Sequence, residues 1–246
     1  MVRVINCIII FLLFSCKKEK NFTCFSTSGK DISQVRKVQT FKNIRSTSKI
    51  IITITQGNTQ SVEVTAGENI IHKVKTSVNN DELLIEDENV CDFVRGYKRK
   101  IKVHITTPYL YELINESVAN IYLNDFVLDS LYIKAGSAGD NYVNGKFKQV
   151  KISSHGNGDV YLSGETNGLA IYMDGENFIR SFDFKVFDYL FIAQLSLGDC
   201  FINVSETDLV NYSIKKSGNI RYRGQLKKAE GTIEPGAKGK FIPDEF

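Results

Sequence analysis

A short phrase recurs about every 20 residues between residues 119 and 224, and it consists of a small residue, then Asp, Glu or Asn, then alternating apolar residues. Self-similarity at such a period is the signature of a repeat architecture, in which each unit buries its apolar face only by stacking on its neighbours. A stack of like units has no built-in cleft, so the phrase favours a function carried by an extended surface. The copies begin at Ala119, Gly139, Gly158, Gly175, Gly198 and Gly218, at intervals of 20, 19, 17, 23 and 20 positions.

Each repeat carries two strand signals. Apolar residues alternate with polar ones after the turn, as at Val160 and Leu162, and a second run such as Leu169-Ala170-Ile171 precedes the next turn. Alternation with a period of two places one set of side chains on one face of a strand, so stacked repeats form apolar ladders. No segment shows sustained helical spacing. The sequence therefore predicts an all-β, single-domain solenoid, a right-handed β-helix-type stack of roughly 20-residue rungs with extra N-terminal strands from residue 38.

The recurring phrase also has the chemistry of a tight turn. Glycine adopts positive φ without steric cost, and Asp or Asn side chains accept hydrogen bonds from nearby backbone amides. We therefore predict that the acids of the phrase satisfy backbone groups where the chain turns a corner. These acids are Asp140, Asp159, Glu176 and Asp199.

The N-terminus has the features of an export signal. Arg3 precedes an apolar run from Val4 to Phe14 that is interrupted only by Asn6. The run is too short to span a bilayer as a mature helix, but it fits the h-region of a signal peptide.

The apolar run ends in Leu13-Phe14-Ser15-Cys16, which resembles a bacterial lipobox. By that resemblance, cleavage after Ser15 frees Cys16 for a diacylglycerol and an acyl chain such as palmitate, which is enough lipid for stable anchoring. The alternative is an ordinary secretory signal in which Cys16 is incidental. Lys17, at a position where Asp favours the inner membrane, indicates the outer membrane.

The remaining cysteines do not suggest a metal site. Cys24 and Cys91 lie in polar surroundings and could pair, whereas Cys200 occupies an inward-facing position of a rung and is expected to be a small buried hydrophobe. The predicted organisation has four parts. They are a lipoprotein signal peptide at 1–15, a lipidated cysteine with a flexible tether at 16–36, the β-solenoid domain at 37–226 and a C-terminal tail at 227–246.

Three passages resemble a known family. They are Phe41–Ile44 followed by strands, the strand, Pro and Leu-rich passage Val103–Leu113, and the run of turns, in which His155–Asp159 is the most typical copy. Over about residues 38–224 the chain is similar to the bacterial GIN-domain auto-transporter adhesins, although the turns at Ala119 and Asp174–Glu176 depart from the pattern. The resemblance implies an exported, often lipid-anchored domain with a β-solenoid-like fold.

Charge and motifs exclude several classes of function. The formal net charge is only +3 and the basic residues are scattered, which gives no case for nucleic acid. We expect no cofactor, because neither a P-loop nor a dinucleotide motif occurs, and no metal site, because the Gly-acid phrase lacks the stacked oxygen ligands that calcium needs. Asp140 and Asp159 on adjacent rungs permit a pair of catalytic carboxylates, but the same acids recur at every rung, so we expect no catalytic residues.

An aromatic row lies two positions after the acids. If the alternation holds, these side chains face outward and form a stripe suited to sugar rings or protein partners. The alternatives are a second core beneath the N-terminal strands, or a ladder that only stabilises the sheet. The row consists of Tyr122, Tyr142, Tyr161, Phe178 and Phe201.

Together these features predict a lipid-anchored, non-catalytic, adhesin-like module of the cell envelope that presents an extended β surface. A carbohydrate-active β-helix enzyme and a purely structural envelope component are the alternatives. The expected partners are the membrane, through the lipid anchor, and a glycan or another envelope or surface protein. Orientation toward the medium or the periplasm and the oligomeric state stay open.

Overall fold

The computed structural model describes residues 27–90 and 100–244. The predicted lipidation site, Cys16, and the possible pair Cys24 and Cys91 lie outside the described residues. Within those two ranges the chain forms 17 β-strands and one short 3-10 helix, and it contains no α-helix. All the strands belong to one continuous sheet wound into a β-solenoid, which confirms the predicted fold class.

Four long parallel strands form the centre of the solenoid. Each begins directly after a corner phrase, and each pairs in parallel with its neighbours, so that Tyr142 lies opposite both Tyr122 and Tyr161. The two strands expected in each rung are therefore joined into one continuous strand here. The central strands are β9 (Ile121–Ala135), β10 (Asn141–Ser154), β11 (Val160–Met173) and β12 (Ile179–Gln194).

Two bends divide each central strand into three segments. In β9 each segment has inward residues, among them Leu123, Phe126 and Leu131, and exposed residues lie at the bends. The first bend needs unusual backbone geometry, because Asp125 has a φ of 55° and Gly164 a φ of 106°. We name the three outer surfaces the first, middle and last faces; in β9 they carry residues 121–124, 126–128 and 131–135.

The C-terminal rungs continue the stack. Chain 227–246, predicted as a tail, contains β16 and β17, which pair with β14 and β15; this corrects the prediction. The Phe241 ring stacks on Tyr212 and Tyr222, with centroids 4.5 and 4.7 Å apart, and so closes the end of the core. The strands are β13 (Cys200–Asn203), β14 (Leu209–Ile214), β15 (Ile220–Arg223), β16 (Ala229–Ile233) and β17 (Phe241–Pro243).

The N-terminal strands pair side by side and extend the first and the last face beyond β9. On the first face the order is β1, β4, β7, β3 and then β9; on the last face it is β5, β6, β2, β8 and then β9. The elements are β1 (Asp31–Arg36), β2 (Asn43–Ser46), β3 (Ile50–Gln56), β4 (Ser61–Gly67), the 3-10 helix η1 (Ile71–Lys73), β5 (Val74–Asn79), β6 (Glu82–Asp87), β7 (Ile101–Thr107) and β8 (Glu112–Asn115).

Two predictions change at this end. Asp31–Arg36, expected to belong to the tether at 16–36, instead forms β1 and pairs antiparallel with β4. The N-terminal strands also do not lie over the aromatic row, since Thr53 of β3 is the in-register neighbour of Tyr122 in the same sheet.

The core is a set of apolar columns that run along the solenoid axis. One column stacks Ile133, Ile152, Ile171 and Ile192 in register, and all four are fully buried. Burial of such a side chain contributes about 1.5–3 kcal/mol, so the columns supply most of the cohesion between rungs. Cys200 lies in another column as expected, and burial raises the pKa of its thiol.

Candidate functional site

A ladder of carboxylate and amide side chains joins the corners of successive rungs. The backbone N–H of Asp159 donates to Oδ1 of Asp140 at 2.9 Å, and the N–H of Phe178 donates to Oδ1 of Asp159 at 2.9 Å. The same bond links Asn219 to Asp199 at 2.7 Å. These acids therefore serve the corners, as predicted, although each one satisfies the amide of the next rung rather than that of its own turn.

One copy of the phrase is shifted relative to the sequence prediction. A side chain at Gly198 would collide with the carbonyl of Asn177, so Asn177 occupies the small-residue column and Phe178 the acid position. The predicted corner acid Glu176 instead lies exposed outside the ladder. The corrected column runs through residues 119, 139, 158, 177, 198 and 218 and continues at Gly239, with nearly even intervals.

The outward row of the first face contains arginine as well as aromatic residues. Arg180, not Phe178, pairs in register with both Tyr161 and Phe201, which corrects the predicted row. Arg221 follows Phe201 in the next rung. We call this set the Tyr/Arg row; its members are Tyr122, Tyr142, Tyr161, Arg180, Phe201 and Arg221.

The three tyrosines of the row stack on one another. Their ring centroids are 4.9 Å apart for Tyr122 and Tyr142 and 4.6 Å apart for Tyr142 and Tyr161, with nearly parallel planes. Both faces of Tyr142 are therefore covered, and the ring edges and hydroxyls point outward. The hydroxyl of Tyr142 donates to Oδ2 of Asp140 at 3.3 Å. Burial, followed by the charge of Asp140, raises the pKa of Tyr142 to about 12.

Arg180 continues the stack beyond the tyrosines. Its guanidinium carbon lies 5.8 Å from the ring centroid of Tyr161 and 5.4 Å from that of Phe201. Its Nε donates to Oδ2 of Asp159 at 3.0 Å, which compensates its charge. Arg221 has an equivalent bond to Asp199 at 2.6 Å. Cation–π contact and ion pairing thus hold Arg180 in the row, and ion pairing holds Arg221.

A second outward row runs parallel to the first. Nδ2 of Asn144 donates to Oγ of Ser163 at 2.8 Å, and Ser163 lies opposite Asp183 in the register. Farther along, the guanidinium of Arg223 lies 3.9 Å above the ring of Phe182 and pairs with Asp244 at 2.7 Å. We call this set the polar row; its members are Asn124, Asn144, Ser163, Asp183 and Arg223.

A groove of about 690 Å³ lies between the two rows. The side chains of Leu123, Val143 and Leu162 point into the core, so their backbone atoms form its floor. The groove crosses successive rungs and ends near Asp244. The positive and negative charges on its walls nearly cancel, because Arg180 and Arg223 each pair with a carboxylate.

The groove brings together only part of the predicted stripe. Tyr142, Tyr161 and Phe201 line it, whereas Tyr122 only stacks at one end of the row and Phe178 lies at a corner. Sequence reasoning missed Arg180 because the predicted stripe was defined by aromatic residues alone. Sequence reasoning also missed the polar row. Asn124, Asn144, Ser163 and Arg223 each lie two positions after a member of the Tyr/Arg row and share its outward phase. Asp183 lies three positions after Arg180, and a register shift between β11 and β12 brings it opposite Ser163.

Residues 27–90 and 100–244 offer neither a metal site nor a membrane-spanning helix. This part of the chain contains no cluster of His, Cys, Asp and Glu that could hold a metal ion. None of its helical segments is long and apolar enough to cross a membrane.

Comparisons with known proteins agree with this architecture. The model of the family described as "Putative auto-transporter adhesin, head GIN domain" matches residues 40–225. No curated protein matches the sequence.

Several solved structures share the fold. A "putative adhesin" from Bacteroides fragilis has a TM-score of 0.75 and 22% identity, and the match covers 87% of this chain and 97% of that one. A "putative adhesin" from Parabacteroides distasonis has a TM-score of 0.64 and 17% identity, with 88% and 98% covered. A "putative lipid binding protein" from the same organism has a TM-score of 0.58 and 17% identity, with 88% and 98% covered.

Proposed function

Because the chain belongs to the family of auto-transporter adhesins with a GIN head domain, we propose that it is a lipid-anchored, non-catalytic binding module of the bacterial envelope. In this proposal the solenoid holds an extended partner in the groove between the Tyr/Arg row and the polar row. The observation that carries the proposal is the continuity of the groove across rungs. A partner lying along it gains many small contacts rather than one deep pocket.

The carboxylates near the groove support binding rather than catalysis. Oδ1 of Asp140 accepts the N–H of Asp159, and Oδ2 accepts the hydroxyl of Tyr142. Oδ2 of Asp159 is held by Arg180. A general acid must exchange its proton with a substrate, whereas these oxygens are engaged by groups of the fold itself.

The name of one similar structure raises lipid binding as an alternative. An acyl chain needs an apolar channel, because it makes no hydrogen bonds of its own. The groove walls instead carry Asn144, Ser163 and Asp183. We therefore favour a polar partner.

The anchor is the second part of the proposal. We propose that Cys16 carries the lipid at the outer membrane and that the segment before β1 separates it from the solenoid. Replacing Cys16 with Ala should move the protein from the membrane fraction to the soluble fraction. Protease treatment of intact cells then tests its orientation: loss of the full-length protein indicates the outer surface, and survival would contradict the adhesin function.

Binding along the groove can be tested with a matched pair of variants. Asp183 and Lys185 are both exposed on β12, but only Asp183 lines the groove. Asp183→Trp should block the groove and Lys185→Trp should not, and tryptophan is well tolerated in strands. We would compare retention of beads carrying the mature chain on galactomannan, on collagen and on phosphatidylcholine vesicles.

The proposal predicts that Asp183→Trp alone lowers retention on at least one of these materials. If the two variants behave alike on all three, or if the wild type binds none of them, the groove is not the binding site.

A further inference from the structure

We propose that the groove binds an uncharged linear polysaccharide, laid along the solenoid axis with about one sugar per rung. This inference rests on the proposed function and adds the chemical class of the partner. Three observations carry it: the repeat distance of the groove, the hydrogen-bonding groups on its walls and the balance of its charges.

The first observation is the repeat. Parallel strands lie about 4.8 Å apart, so equivalent side chains of neighbouring rungs recur at that distance along the groove. An extended chain of equatorially linked pyranose rings advances by a similar length per sugar. The lining extends from Leu123 on β9 to Asp244 after β17, which is roughly 29 Å at that spacing. A linear glycan can therefore meet the same kind of side chain at each successive sugar.

The second observation is the chemistry of the walls. Asn124, Asn144 and Ser163 present amide and hydroxyl groups along one wall. On the other wall, the hydroxyl of Tyr142 donates to Oδ2 of Asp140 at 3.3 Å, which leaves its oxygen free to accept. The hydroxyl of Tyr161 donates to Asp159 at 3.4 Å and also accepts from the side chain of Arg180. Groups that both donate and accept suit vicinal sugar hydroxyls, which do the same.

The third observation is charge. Asp159 compensates Arg180 and Asp244 compensates Arg223, at 3.0 and 2.7 Å. Asp183 also lines the groove, and the described ion pairs give it no cationic partner. An anionic polymer would therefore meet an uncompensated carboxylate without a free cation to offset it. The charges of the groove therefore nearly balance except for the carboxylate of Asp183, which favours an uncharged glycan over an acidic one.

The tyrosine stack sets how such a glycan is held. Because Tyr142 has both ring faces covered, a sugar can contact only the ring edges and hydroxyls. Each sugar therefore contributes a small interaction, comparable to one hydrogen bond. Affinity must then build up along the chain, and the dependence of affinity on chain length becomes the signature of this mode of binding.

The experiment is calorimetric titration of the mature chain with β-1,4-linked manno-oligosaccharides, from dimers to octamers. We expect affinity to rise by about threefold per added sugar and to level off at about six or seven sugars, where the groove ends. The matched charged probe is the β-1,4-mannuronate series, which has the same linkage and one carboxylate per sugar. It should bind at least about tenfold more weakly at equal length.

Variants assign the effect to the groove. Asp183→Asn should narrow the difference between the two series, and Glu176→Gln, which removes an exposed acid outside the groove, should not. A lack of binding by the neutral series, an affinity independent of length, or tighter binding of mannuronate would each overturn the glycan proposal. Retention on collagen that is lost in Asp183→Trp would overturn it too, while the proposed binding function would stand.

Discussion

Replacement of Asp159 with Ala separates a structural role for the corner acids from a catalytic one. In the wild type, Oδ1 of Asp159 accepts the backbone N–H of Phe178 at 2.9 Å and Oδ2 accepts Nε of Arg180 at 3.0 Å. Alanine removes both acceptors. Asparagine keeps an oxygen for the backbone N–H and loses mainly the ion pair.

The two variants should differ in stability. The Asp159 side chain is only 16% exposed, so loss of a charge-assisted bond to a backbone amide costs about 1.5–2 kcal/mol. Arg180 is 41% exposed, and its ion pair contributes about 0.5–1 kcal/mol after solvent screening. We expect a loss of about 2–3 kcal/mol for Asp159→Ala and about 1 kcal/mol for Asp159→Asn. For a chain of this size these losses correspond to about 4–12 °C and 2–4 °C in Tm.

Thermal unfolding followed by circular dichroism measures both losses. Glu176→Ala is the control, because this acid was expected at a corner from the sequence but lies outside the ladder; it should leave Tm unchanged. A wild-type Tm for Asp159→Ala would refute the ladder argument. The enzyme alternative would gain support if Asp159→Ala also abolished turnover of a polysaccharide.

Three further changes have defined outcomes. Asn141 is fully buried, its Oδ1 has no hydrogen-bond partner, and its Nδ2 makes only one long bond, to the carbonyl of Gly139 at 3.3 Å. Asn141→Val should therefore raise Tm by about 2–4 °C. Truncation after residue 225 removes β16 and β17 and uncovers Tyr212 and Tyr222, so it should lower Tm by at least several degrees in the same assay. The raised pKa of Tyr142 contributes stability that is complete below about pH 10 and is lost by about pH 12, so Tm should fall more steeply there than in Tyr142→Phe.

Each of these expectations has a contradicting result. A lower Tm for Asn141→Val would show that its amide makes bonds the fold requires. An unchanged Tm after truncation would show that residues 226–246 are a tail after all. If Tm depends on pH between 10 and 12 in the same way in the wild type and in Tyr142→Phe, the pKa of this hydroxyl does not differ between the folded and unfolded states.

The repeat fold could be predicted because its signals are local. Alternation along the strands and a small residue before an acid are both visible in one rung, and stacking follows from them. The shifted copy could not be recognised, because Gly175-Glu176 has the local form of the phrase while Asn177 and Phe178 have its place in the stack. Only hydrogen bonds between rungs distinguish the two.

The last rung, formed by β16 and β17, was not predicted because it lacks the acid of the corner phrase. Lys240 stands at the acid position, and its backbone N–H donates to Oδ1 of Asn219 at 3.0 Å. The part of the chain that the structure describes has no later rung whose amide would need an acceptor, so this position does not require an acid. The groove was not predicted for two reasons. It depends on the lateral spacing of two outward rows, and alternation does not show the register shift that brings Asp183 opposite Ser163.

Hydroxyl-radical footprinting with bound manno-oligosaccharide tests most directly whether the groove is the binding site. Tyr161 and Phe201 line the groove, whereas Tyr172 and Tyr189 are exposed on β11 and β12 away from it. The account predicts that ligand protects Tyr161 and Phe201 from modification and leaves Tyr172 and Tyr189 unchanged. Protection of Tyr172 or Tyr189 with none at Tyr161 and Phe201 would contradict it.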